Sequence, residues 1–78
     1  MDNPKIRFMM DYVTSVVIDC IIKNTGFSVE NAMKAFYNSQ VFDLLCDIET
    51  GLYRESGGYV YDLYKIECEH GRLVQLEI

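Results

Sequence analysis

The chain is expected to fold as a mainly α, compact bundle of about four helices with a short C-terminal strand-like tail, all in one domain. Three observations predict this. Apolar residues recur at helical intervals through most of the 78 residues, capping residues stand just ahead of those runs, and glycines stand just after them. Half of the residues are hydrophobic, with five glycines and one proline, which is the make-up of a packed globule rather than a disordered tail. There is room for a single core only, because a domain this small buries about 60% of the surface its unfolded form exposes.

The first helix is announced by Asn3 and Pro4. Asparagine accepts a bond from an orphan N–H, and proline at the first helical position gives up no donor that is needed. The helix should run to about Asn24, with Gly26 in the left-handed position beyond its end. Ile6, Met9, Met10, Val13, Val16, Val17, Cys20 and Ile21 recur at helical spacing, while Asp11, Ser15, Asp19 and Lys23 form a narrow polar line. Asp19 and Lys23 are spaced as an i,i+4 charge pair. Phe8, Tyr12, Ile18 and Ile22 flank the polar line, so most of the circumference is apolar. A lone surface helix would not tolerate that, and the first helix is expected to be central or shared with a second chain.

Ser28 can cap a second helix from Val29 to about Tyr37, with Ala32, Met33, Phe36 and Tyr37 on its buried side. Asn38 and Ser39 break and restart the chain. A third helix should span about residues 40 to 50, with Val41, Leu44, Leu45 and Ile48 inward and Gly51 as terminator. After a link over residues 52 to 58, Ser56 can cap a fourth helix that begins near Gly57 and stops at Gly71. One side of it would carry Val60, Leu63, Tyr64 and Glu67, with Tyr59 and Ile66 alongside, and its weak point is a glycine pair in the first turn. The final six residues alternate as a strand would, with Val74, Leu76 and Ile78 on one face. A single strand needs a partner, for which the link over residues 52 to 54, a second copy of the tail and another protein are the candidates.

Charge bears on partners. The seven basic residues are scattered, whereas phosphate binding asks for a clustered stripe, and the net charge of −5 falls entirely after Ser39. A nucleic-acid partner is therefore not expected. The second and third helices can be drawn as a helix-turn-helix, which keeps a small nucleic-acid-binding regulator as the alternative reading. Asp43, Asp47 and Glu49 on the would-be reading helix oppose it. The apolar share is high for so short a chain, so part of it is expected to be buried against another protein, a second copy making a homodimer being one candidate. The apolar run over residues 8 to 22 is interrupted by Asp11 and Asp19 and is too short to span a bilayer; neither a membrane partner nor a targeting segment is expected. Three cysteines outside any CxxC pattern favour free thiols and a cytoplasmic location.

No enzyme chemistry, cofactor or metal is expected. Cys20, Cys46, Cys68 and His70 satisfy the count of a structural zinc site but lack its paired spacing. Cys68 and His70, two apart on a helix, point away from each other. Glu67 with Glu69, or Asp43 with Asp47, lack a neighbouring group that would shift a pKa. The stretch over residues 55 to 59 places glycines ahead of a helix but matches neither phosphate-loop pattern, and a cap with a turn accounts for it. The suggestive feature is aromatic: Tyr53, Tyr59, Tyr61 and Tyr64 fall close together with Arg54 among them. Tyrosine and arginine are enriched at binding hot spots, and Tyr53, Arg54, Tyr59 and Tyr61 are the candidate interaction residues.

The words Phe36-Tyr37-Asn38-Ser39-Gln40, Glu49-Thr50-Gly51-Leu52-Tyr53 and Gly58-Tyr59-Val60-Tyr61-Asp62-Leu63-Tyr64 resemble, in this order, those of a family of small uncharacterised bacterial proteins with "FYNS", "ETGLY" and "YVYDLYK" motifs. The resemblance covers roughly half the chain. Some members of similar families are encoded beside proteins resembling ADP-ribosyltransferase toxins, which implies an antitoxin-like or regulatory partner role and carries over no catalytic residue. The expected function is thus that of a non-catalytic protein-interaction module.

Overall fold

Where each helix begins is decided by side chains that accept the first orphan N–H groups. The computed structural model describes residues 3–70, with α1 (Pro4–Thr25), α2 (Val29–Tyr37), α3 (Gln40–Cys46) and α4 (Gly57–His70), and two 3₁₀ turns, Ile48–Thr50 and Leu52–Arg54, between α3 and α4. The Asn3 side chain accepts from Lys5 N at 2.9 Å, Ser28 Oγ from Asn31 N at 3.2 Å, and Ser56 Oγ from Tyr59 N at 3.1 Å. Gly26 closes α1 at φ +77°, a left-handed conformation that suits glycine. Lys23 Nζ lies 3.0 Å from Asp19, as the spacing predicts. The mainly α bundle is observed. Gly71 and the strand-like tail lie outside the described residues, and residues 52–54, a candidate strand partner for that tail, form a 3₁₀ turn instead.

The core gathers one stripe from each helix: Val13, Val17 and Ile21 of α1, Ala32 and Phe36 of α2, Val41 and Leu45 of α3, and Val60, Tyr61, Leu63 and Tyr64 of α4, with Leu52 between them. Phe36 sits at its centre, fully buried, edge-on to Phe42 at 5.4 Å and to Tyr64 at 5.8 Å between ring centroids. Such edge-to-face pairs add about 0.5–1.5 kcal/mol beyond the area they bury.

From Leu52 onward the chain runs beside α1 in the same direction. Tyr53 lies by Tyr12 and Val13, and Gly57 rests on Val16. Gly57 is buried, and a β-carbon there would stand 2.6 Å from Val16 Cβ and overlap the valine's methyl group. The first glycine of the pair is therefore required by close packing, whereas Gly58 faces open space.

Two expectations are corrected. The third helix does not reach residue 50: Asp47 takes an extended conformation, φ −86° and ψ 110°, and its carboxylate accepts from Glu49 N at 3.0 Å to start a separate 3₁₀ turn. The Thr50 hydroxyl reinforces the break by donating to Leu44 O at 2.7 Å and to Asp47 O at 2.9 Å. This turns Ile48 outward rather than into the core, while Gly51 still ends the segment at φ +68°. Tyr37 is also exposed, because α2 ends with it; its ring leans on Phe42 at 4.9 Å.

Glu67 is half-buried on the core side of α4 and has a task there. Its carboxylate oxygens accept from Gln40 N at 2.9 Å and Val41 N at 3.1 Å, while Ser39 Oγ accepts from Phe42 N at 3.1 Å. The first turn of α3 is thus capped by its own serine and by a residue of α4, which pins the two helices together.

Candidate functional site

The N-terminal half of α1 is where the apolar pattern outruns the core. Val13, Val17 and Ile21 are buried, but no described residue ahead of Val13 is. Phe8 keeps 72% of its surface exposed and Tyr12 61%, with Met9 exposed beside them. At i, i+1 and i+4 the three side chains share one face of the helix. That face is extended by Tyr53 and Arg54 from the 3₁₀ turn: Phe8, Met9, Tyr12, Tyr53, Arg54 and Glu55 line a shallow hollow of about 210 Å³, and Pro4 and Lys5 continue the strip past Phe8 and Met9. The two exposed rings alone offer on the order of 250 Å² to solvent, given the roughly 200 Å² that a whole aromatic side chain can bury. With Met9 and Tyr53 added, the patch approaches the few hundred Å² of a typical monomer's largest apolar patch, which is often functional.

The sequence candidates divide on this geometry. Tyr53 is half-buried on the strip, and the Arg54 guanidinium carbon stands 5.6 Å from the centroid of its ring, a cation–π arrangement that steadies both. Tyr59 is exposed but lies on the far side of Glu55, where it lines a second hollow with Leu44, Thr50, Leu52 and Leu63. Tyr61 is a correction: at 9% exposure it belongs to the core with Tyr64, whose ring stacks at 6.3 Å, and Lys65 covers its outer face at 5.5 Å. Burial pushes the Tyr61 and Tyr64 hydroxyls above the usual phenol range, with the Cys68 thiol adding to the effect on Tyr64. Both therefore stay neutral at physiological pH.

Phe8, Met9 and Tyr12 were not among the sequence candidates, although the signal was present in the nearly all-round apolar circumference of the first helix. On the other flank of the same segment, Ile6, Met10, Phe42, Cys46 and Ile48 line a cleft of about 310 Å³ with Asn3, Arg7, Asp11 and Thr14. Cys46 is not an activated thiol, since burial first and the nearby Asp43 second push its pKa up. Among the described residues no three His, Cys, Asp or Glu side chains are grouped as a metal would need, and no helix is long and apolar enough to cross a membrane. No protein-family model matches the chain, and neither a curated protein nor a solved structure matches it.

Proposed function

We propose that this chain is a non-catalytic protein-interaction module whose docking face is the strip formed by Phe8, Met9, Tyr12, Tyr53 and Arg54. The observation that carries this reading is the exposure of Phe8 and Tyr12 on a helix whose second half supplies the centre of the core. Large rings held by a rigid helix offer contact area at little entropic cost, which is how hot spots are built. One member of each carboxylate pair considered for chemistry is otherwise employed: Asp47 starts a 3₁₀ turn and Glu67 caps α3. Glu67 also occupies the first N–H groups of the helix that a helix-turn-helix reading would present to nucleic acid, so that alternative gains no support. An antitoxin-like or regulatory partner, the role implied by the motif resemblance, would act through such a face.

The test is affinity capture from the native host with the wild-type chain and Phe8→Asp side by side. A stoichiometric protein retained by the first and lost from the second, with unchanged helicity, is expected. Equal retention by both, or retention of none, would overturn the reading.

A further inference from the structure

The charges around the strip favour one kind of occupant. Among the described residues, Lys23 and Lys34 are matched by Asp19 and Glu30 at 3.0 and 3.8 Å, and Lys65 lies over Tyr61. Lys5 and Arg54 border the strip at its two ends; Arg54 lies over Tyr53 much as Lys65 lies over Tyr61, and no salt bridge to Lys5 or Arg54 is found among the described residues. The N-terminal pole of α1, positive by its dipole, lies at the Lys5 end, and the first turn of that helix carries no acidic residue to offset it. Among the described residues, Glu55 is the single carboxylate lining the strip. A protein of net charge −5 thus presents its apolar face inside a locally positive frame.

We propose that the strip takes a short amphipathic helix of another protein, its apolar stripe laid over Phe8, Met9 and Tyr12 and its flanking carboxylates set against Lys5 and Arg54. This rests on the interaction reading above and names the partner's chemistry. The face spans about 12 Å along α1, some two turns of a partner helix. No strand edge exists among the described residues to take an extended peptide by backbone pairing, so the helix-in-groove mode is the one this surface offers. A second copy fits less well: self-pairing would set two Lys5, two Arg54 and two positive helix poles against only two Glu55, while bringing together two chains of net charge −5. Among the described residues that line the strip, an anionic membrane would meet only two cations, on a chain of net charge −5.

The probe is a stapled helical peptide with leucines at i, i+3, i+4 and i+7 flanked by glutamates, compared with its lysine-flanked twin, each titrated into ¹⁵N-labelled protein. The glutamate peptide is expected to shift the signals of Phe8, Met9, Tyr12 and Tyr53 and to bind about tenfold tighter than its twin at low salt, a gap that closes as salt screens the charges. The double variant K5E/R54E, both positions exposed, should reverse the preference. Equal binding of the twins at the strip would overturn the acidic partner while leaving the docking face intact. Binding of neither peptide, self-association through the strip in sedimentation, or preferential binding to phosphatidylglycerol vesicles would each overturn the proposal. Host capture by the wild-type chain alone, with neither peptide bound, would separate that failure from failure of the interaction reading.

Discussion

The two halves of α1 are about equally rich in apolar residues, yet one is the centre of the fold and the other stands in water. From Val13 onward the helix is enclosed by α2, α4 and the turn over residues 52–54, whereas ahead of Val13 its neighbours are few and its rings face out. The difference teaches that periodicity tells which residues share a face but not how far along the helix that face is covered. Coverage is set by where the other elements end. The second 3₁₀ turn reaches α1 near Tyr12 and Val13, and ahead of that level Phe8 and Met9 stay exposed.

The largest test of this contrast is a matched pair. Ile21→Ala should lose about 2–5 kcal/mol, since it empties a fully buried site, whereas Phe8→Ala should change stability by no more than about 0.5 kcal/mol. Thermal unfolding reads both, with each kcal/mol worth about 4–8 °C in a domain of this size. The contrast fails if the two midpoints fall together.

A second pair probes the contact that fixes α4 against the buried half. Gly57→Ala forces a methyl group into Val16 and should cost about 1–3 kcal/mol. Gly58→Ala, one residue on in open space, should stabilise by about 0.5–1 kcal/mol through helix propensity alone. Opposite signs from adjacent glycines in chemical denaturation would confirm the close approach, and equal signs would refute it.

Glu67→Ala should cost about 1–2 kcal/mol, because it uncaps the first turn of α3. It should leave binding at the strip unaltered, as that corner lies on elements that do not line the strip. The smallest expected effect concerns the cleft on the other flank of the exposed half. With its pKa raised by burial and by Asp43, Cys46 holds less thiolate near pH 8 than a free cysteine would. Although Cys46 is exposed, a disulfide reagent should therefore modify it more slowly in the folded protein than in urea, and faster as pH rises. A folded-state rate equal to the unfolded one would show that partial desolvation and Asp43 do not hold the thiol back.

Much of this fold was legible in the sequence because helix ends are local chemistry. Asn3-Pro4, Ser28, Ser39, Ser56, Gly26 and Gly51 all act where their residue types predict. The break at Asp47 was missed because Leu44, Leu45 and Ile48 kept helical spacing through it; a side-chain acceptor at Asp47 with a hydroxyl at Thr50 was the competing local signal. The tasks of Glu67 and Gly57 were not legible, since each depends on a neighbour remote in sequence, 27 residues away for the Glu67–Gln40 bond. Tyr53, Tyr59 and Tyr61 were read as a single surface, but helical phase sends Tyr59 outward and Tyr61 inward beside Tyr64, so part of the candidate site became core.

The central claim is that the exposed half of α1 serves binding and not folding, and the double variant Phe8→Asp/Tyr12→Asp tests it most directly in a single thermal melt of the isolated protein. The claim predicts a midpoint within a few degrees of the parent, because both side chains already face water. A fall as large as that of Ile21→Ala would show that these rings are part of the core, and would contradict it.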